Sequence, residues 1–195
     1  MAIIYVTRES ENQKAQFVAL TQKDKDGQQV ISGSDYPTIS ADVNHVRMHE
    51  GRAFFAWHMN PSATPLAAGA SINIVMASNA GITPHITAGY ACGGDCEFYI
   101  YQGTATTGGT AFTPVNRNRT SSTVSECAMV INPTITSLGT LIDAQVGPGG
   151  SGPKAGGGTG SGLEYVFSSL TNFHFRLTNV SSKAEIAVLT LEWYE

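Results

Sequence analysis

This sequence has few charged residues, and the numbers of its positive and negative residues nearly balance. Only 13% of its 195 residues are Asp, Glu, Lys or Arg, about half of the ~25% that is usual for soluble domains. The 11 Lys and Arg residues form no basic stripe, and the formal net charge is −4. The sequence therefore does not predict a nucleic-acid-binding protein, which needs such a stripe.

Long apolar runs are missing as well. No stretch approaches the ~20 apolar residues of a membrane-spanning helix, and the apolar start, Met1–Val6, is too short for the core of a signal peptide. We therefore expect a protein that is made in a cytoplasm and has no membrane partner.

Three cysteines are too few for a disulfide framework. Cys92 and Cys96 flank a Gly-Gly-Asp turn, and Cys127 stands alone. The pair could be half of a zinc site, or a disulfide formed after release from the cell, since Cα atoms in such a turn can lie within the ~4.4–6.8 Å that a disulfide requires. We favour the interpretation in which the cysteines pack as small apolar residues.

Short alternating segments, bounded by Gly, Pro, Asn and Ser, dominate the sequence from residue 52 onward. No crossover helix of the length that a parallel sheet needs is predicted between them. The pattern predicts an all-β protein, an antiparallel β-sandwich of jelly-roll type, with an immunoglobulin-like sandwich as the main alternative. The predicted strands cover residues 52–59, 71–77, 84–90, 97–102, 126–131, 140–146, 163–167, 173–178 and 186–194.

Two segments differ from this β-sandwich. Half of the charged residues lie among the first 52 positions, so we predict a polar N-terminal docking arm over residues 1–38 and a body over residues 39–195. The arm is expected to be extended, or to form a short helix over residues 12–20 with Ser10 as its N-cap.

Residues 147–162 contain nine glycines and predict a flexible loop. Its lysine, Lys154, precedes Ala155, which does not fit a phosphate-binding loop.

Groups that could perform chemistry are few. His45 and His49 are four residues apart and share a face of a helix or a strand, with His58 near them in sequence. The HExxH order of zinc proteases is not met, so we favour polar histidines on a solvent or subunit face. The acidic residues are scattered, and no Gly-x-Ser-x-Gly motif occurs. We expect no enzyme activity, no cofactor and no metal, with a metal-dependent enzyme of double-stranded β-helix architecture as the least favoured alternative.

The most distinctive polar run is Asn116–Ser122. If it is extended, Arg117 and Arg119 project from one face. Guanidinium groups bind carboxylates with two parallel hydrogen bonds and suit protein interfaces. The alternative is a solvated edge strand whose charges prevent misassembly.

Several motifs together resemble a known group of proteins. Over residues 43–195 the chain resembles small virion structural proteins of tailed bacteriophages, which are capsid decoration (cement) proteins or head-fibre proteins. The motifs that carry the resemblance are His45–Gly51 before an aromatic strand, Asn116–Ser122, the glycine-rich loop before Leu163, Phe175–Asn179 and the ending Leu191–Glu195.

The resemblance implies a homotrimer on the outer surface of an icosahedral head, at the virion capsid surface. Its partner would be the major capsid protein, and its function would be to stabilise the head by binding the assembled shell. The alternative is a fibre or knob protein that binds host surface glycans through aromatics such as Trp57, Tyr90, Tyr99 or Tyr101. The residues that we expect at subunit or capsid contacts are Arg117, Arg119, Arg47, His49, Arg52 and Phe17.

Overall fold

The computed structural model describes residues 3–10, 13–20, 22–23, 29–30, 43–148 and 163–195, of which those before residue 43 are described as backbone only. The chain divides into two compact units, Met1–Val46 and Arg47–Glu195. The predicted boundary between arm and body, after residue 38, lies outside the described residues. Most of the predicted glycine-rich loop, 147–162, lies outside them too.

The N-terminal unit contains two pairs of antiparallel strands. β1 (Ile3–Ser10) pairs with β2 (Gln13–Leu20) along its full length, and β3 (Gln22–Lys23) pairs with β4 (Gln29–Val30). Of the two expectations for this segment, the structure shows the extended one and not the short helix over residues 12–20. β1 is rich in β-branched residues, which favour strands. Pairing with β1 supplies backbone hydrogen bonds to a segment too short to be stable as an isolated helix.

Residues 43–195 contain one short helix and thirteen strands in the part that the structure describes. No helix there is long and apolar enough to cross a membrane. The elements are α1 (Val43–His49), β5 (Ala53–Asn60), β6 (Ser71–Ser78), β7 (His85–Cys92), β8 (Cys96–Gln102), β9 (Ala105–Thr107), β10 (Thr110–Phe112), β11 (Val115–Asn116), β12 (Cys127–Ile131), β13 (Thr134–Ser137), β14 (Thr140–Gly147), β15 (Glu164–Val166), β16 (Asn172–Asn179) and β17 (Ala187–Tyr194).

All nine strands predicted from the sequence are present, each within two residues of its predicted bounds. The four that were not predicted, β9, β10, β11 and β13, have only two to four residues. Alternation cannot be recognised in segments of that length.

In the body, β9 and β13 pair in a small two-stranded sheet, and two larger antiparallel sheets form the sandwich. One has the strand order β11-β5-β17-β7-β15, and the other β10-β12-β6-β16-β8-β14. The orders β5-β17-β7-β15 and β6-β16-β8-β14 are those of a jelly roll, in which β17 is inserted between β5 and β7 and β16 between β6 and β8. The predicted fold class is confirmed, and this strand order differs from that of an immunoglobulin-like sandwich.

The core lies between the two sheets, and the alternation of buried and outward side chains is complete in two of its strands. In both β7 and β17, every second side chain is buried. The largest buried side chains come from both sheets, and they include Phe54, Ile86, Leu189 and Leu191 from one sheet and Ile72, Ile74, Phe98 and Phe175 from the other.

The three cysteines are free thiols inside this core. Burial raises the pKa of Cys96 to about 11 and that of Cys127 to about 12. Both therefore stay protonated near neutral pH and are poor nucleophiles. This placement agrees with the favoured interpretation of the cysteines as small core residues.

His174 is a buried polar side chain with incomplete hydrogen bonding. It lies in β16 and has no exposed surface. Its Nε2 atom lies 2.9 Å from Asn73 Oδ1, and its ring stacks on that of Tyr101. Its Nδ1 atom has no hydrogen-bond partner among the described residues. Burial, with a smaller effect from the positive charge of Arg176, lowers the pKa of His174 to about 4.

We expect the free energy of unfolding to decrease as the pH falls from about 6.5 to about 4. The unfolded chain takes up a proton on His174 near its ordinary pKa of 6.5, whereas the folded protein does so only near pH 4. The stabilisation is therefore complete above pH 6.5 and is lost across this window, by about 3 kcal/mol. Urea unfolding at several pH values gives the free energy of unfolding as a function of pH. Between pH 6.5 and 4 it should change less steeply with pH in His174→Gln than in the native protein. Equal slopes in the two proteins would contradict this account.

Candidate interaction site: an arginine-rich rim

Five of the six predicted contact residues come together at one rim of the body. Arg47, His49 and Arg52 lie at the end of α1 and in the turn before β5, while Arg117 and Arg119 follow β11. Backbone hydrogen bonds join these segments. Arg117 N donates to Ala53 O at 2.8 Å, and Arg52 N donates to Arg47 O at 2.8 Å. We call these five residues the arginine rim.

Asn116 holds the two segments of the rim together. Its side chain is buried, and Nδ2 donates to Gly51 O at 2.8 Å and to Thr123 O at 2.9 Å. Its Oδ1 atom accepts a hydrogen bond from Asn118 N at 2.9 Å. Asn118 continues the connection, because its Nδ2 donates to His49 O at 3.2 Å. The rim thus has a fixed backbone that is built by two asparagine side chains.

Gly51 allows the two segments to approach each other closely. Its φ of 73° lies in the left-handed region of backbone conformation, which residues other than glycine rarely adopt. A Cβ atom at this position would also overlap the side chain of Ser121. A glycine is therefore required where the chain passes from α1 into β5.

The run Asn116–Ser122 is not extended. The expectation that Arg117 and Arg119 project from one face required an extended run. β11 ends at Asn116, and a turn follows, in which Ser121 N donates to Asn118 O at 3.0 Å. Asparagine side chains that hydrogen-bond nearby backbone compete with strand pairing and favour turns. Arg117 and Arg119 reach the rim through this turn.

Two of the four arginines have no ion-pair partner within the described part of the chain. Arg47 pairs with Glu50 at 2.9 Å, and Arg117 pairs with Glu192, also at 2.9 Å. Arg52 and Arg119 are exposed and have no such carboxylate. These two guanidinium groups can therefore bind carboxylates of another molecule.

Glu192 pairs with a residue of the arginine rim, and the sequence reasoning did not single it out. It lies in β17 between Leu191 and Trp193, which are both buried. An acid that alternates with core residues must face outward, and that signal was available. Its partner, Arg117, lies 75 residues away in sequence, so the pair itself was not predictable. The ion pair joins two of the motifs that carry the resemblance.

The remaining predicted residues lie elsewhere. Phe17 is opposite Val6 in β2 of the N-terminal unit. His58 lies in β5, where it accepts a hydrogen bond from Asn132 Nδ2 at 3.4 Å, and burial lowers its pKa. Among the described residues, no group of three His, Cys, Asp or Glu side chains could hold a metal ion.

The aromatics predicted as a glycan platform do not share one surface. Trp57 is exposed on β5. Tyr90 is buried and stacks on Phe98 in the core, so its inclusion in the platform was wrong. Its position in β7, four residues after the buried Ile86, places it on the core face. Tyr99 and Tyr101 are half-buried on β8 of the other sheet.

We expect Asn116→Ala to lower the free energy of unfolding by about 2–4 kcal/mol, because it leaves buried backbone groups without hydrogen bonds. Urea unfolding at neutral pH measures this effect. Asn118→Ala is the matched control, since its side chain is more exposed and its loss should cost only about 1 kcal/mol. If Asn116→Ala is as stable as the native protein, Asn116 does not hold the rim together.

Comparison with known proteins gives no relative. No family model, no curated protein and no solved structure matches the chain. The resemblance to bacteriophage virion proteins therefore stays a prediction.

Proposed function

We propose that this protein is a capsid decoration protein that binds the outer surface of an icosahedral phage head and stabilises it. Its partner is the major capsid protein, and it acts as a homotrimer at the capsid surface without catalysing a reaction. The observation that supports the proposal best is the arginine rim. It presents two exposed guanidinium groups, on Arg52 and Arg119, from a hydrogen-bonded scaffold.

A fixed scaffold matters because binding orders the groups that make the contact. A long side chain loses about 0.5–1.5 kcal/mol of conformational freedom when an interface immobilises it. In the arginine rim, the backbone that carries Arg119 is already held by Asn116 and Asn118. Only the arginine side chains themselves remain to be ordered when the protein binds the shell.

The ion pairs within the rim favour an orientation rather than general adhesion to acidic surfaces. Arg47 and Arg117 are already paired with Glu50 and Glu192, so the rim alternates positive and negative groups. A partner surface must place carboxylates opposite Arg52 and Arg119 and avoid the two glutamates. Such complementarity gives specificity and fixes the register of docking.

The N-terminal unit is tethered to this same rim. Residues 1–46 join the body at Arg47, so any contact that the N-terminal unit makes with the shell acts together with the rim. Linked contacts strengthen binding because the second one forms at a high effective concentration. Binding to the assembled shell and not to its dissociated subunits then stabilises the particle by mass action.

We expect the double variant Arg52→Ala/Arg119→Ala to bind undecorated heads roughly 100-fold more weakly, because two desolvated charge pairs at about 1.5 kcal/mol each contribute about 3 kcal/mol. The heads are those of the virus that encodes the chain, made without this protein. Co-sedimentation measures bound protein, and genome release on heating measures stabilisation.

Lys183→Glu is the matched control for this experiment. It changes the net charge by the same amount, at an exposed residue in the connection between β16 and β17. This variant should bind and protect heads as the native protein does. Native binding by the double variant, or an equal loss in both variants, would refute the role of the arginine rim.

Removal of residues 1–38 should leave the body folded and should greatly weaken binding to heads. The body has its own core, so circular dichroism and cooperative thermal unfolding should be retained. Loss of the linked contact should lower the apparent affinity for undecorated heads. A truncated chain that decorates heads as tightly as the full chain would show that the N-terminal unit does not dock.

A further inference from the structure

The outer face of the five-stranded sheet carries a shallow groove of about 340 Å³. Its floor is formed by neighbouring strands β7 and β17, which pair with each other along eight residues. The outward residues of β7 that line the groove are small, so the floor lies low beside β17. The outward residues that line the groove are Thr87, Gly89 and Ala91 from β7 and Val188, Thr190 and Glu192 from β17.

Gly89 leaves the middle of the groove free of a side chain. A Cβ atom on Gly89 would lie only 2.7 Å from Thr190 Oγ1. The Thr190 hydroxyl donates a hydrogen bond to Gly89 O at 3.0 Å. The Thr190 hydroxyl uses its proton in this bond, so toward a ligand in the groove it can act only as a hydrogen-bond acceptor.

An aromatic platform borders this floor on the β5 side. Trp57 lies directly opposite Thr190 in the register of β5 and β17, and its side chain is 41% exposed. The indole stacks on Phe55, with ring centroids 5.4 Å apart, and Phe112 packs edge-on against it at 5.6 Å. These two contacts fix the orientation of a large flat surface beside the groove.

A charged pair borders the same groove near the arginine rim. Glu192 lines the groove, and Arg117 holds its carboxylate at 2.9 Å. The glutamate is 45% exposed and the arginine 29%. Together they offer both donors and acceptors of hydrogen bonds, while their charges cancel.

We propose that this groove binds a neutral pyranose residue of a glycan. A pyranose ring has a flat face of C–H groups and a rim of hydroxyl groups. The Trp57 indole fits the apolar face. The Arg117–Glu192 pair and the Thr190 hydroxyl supply the few placed polar groups that orient a ligand in a mostly apolar site. The charges of Arg117 and Glu192 cancel, which suits a neutral sugar.

Saturation-transfer NMR of the full chain with methyl glycosides of glucose, galactose, mannose and N-acetylglucosamine tests the proposal. At least one glycoside should bind saturably, with the millimolar affinity that a small open site provides. The same glycoside should shift the tryptophan fluorescence, because Trp57 is exposed while the other tryptophan, Trp193, is buried. Binding should be roughly tenfold weaker in Trp57→Ala.

Ala91→Leu and Ala128→Leu form a matched pair of variants. Ala91 lines the groove, and a leucine there fills it and should abolish glycoside binding. Ala128 is an exposed residue of β12 in the other sheet, and the same substitution there should leave binding unchanged. Both sites lie outside the arginine rim, so head binding should persist in both.

Three outcomes would overturn the proposal. The first is the absence of saturable binding by any of the four glycosides. The second is native binding in Ala91→Leu. The third is a self-association, seen by sedimentation velocity, that Trp57→Ala abolishes, because the aromatic platform would then be an interface between copies of the chain.

Discussion

The last strand of the chain, β17, lies in the middle of its sheet, and most other features depend on that position. It pairs with β5 on one side and with β7 on the other, along eight residues each. Because side chains alternate along a strand, this register sends Leu189, Leu191 and Trp193 into the core. It sends Thr190 and Glu192 to the outer face. A shift by one residue would exchange the two sets and destroy core, rim and groove together.

The ends of β17 connect to other parts of the body as well. Glu195, which follows the strand, donates its backbone N–H to Arg52 O at 3.1 Å. Its carboxylate accepts hydrogen bonds from Ser125 Oγ at 2.6 Å and Glu126 N at 3.0 Å. The C-terminal residue therefore fixes the turn that leads into β5, and it links that turn to the start of β12. Glu195 thus connects β17 to the segment that carries Arg52 of the arginine rim.

Much of the fold was predictable, because its information is local. Nine strands follow from alternation and from the residues that bound them, and an antiparallel sandwich follows from the lack of crossover helices. The extended form of residues 12–20 could not be chosen over the short helix because the stabilising partner, β1, is outside that window. His174 lies between the core residues Phe173 and Phe175, so alternation places it on the outer face of its sheet, yet it is fully buried. Alternation assigns a face, but it does not reveal what packs over that face.

The site was less predictable than the fold, for a physical reason. In the sequence, Asn116 is one polar residue of an arginine-rich run. Its structural role is a hydrogen bond to Gly51, 65 positions away. The pairing of Arg117 with Glu192 also depends on the completed sheet. The residue types of the arginine rim were identified, but their arrangement arises only when distant segments meet.

We propose that the arginine rim is the surface that contacts the capsid. A cryo-electron microscopy map of decorated heads would show this contact. We expect density in which Arg52 and Arg119 lie within hydrogen-bond distance of carboxylates of the major capsid protein. A map in which the rim faces solvent, while another surface of the body contacts the shell, would contradict it.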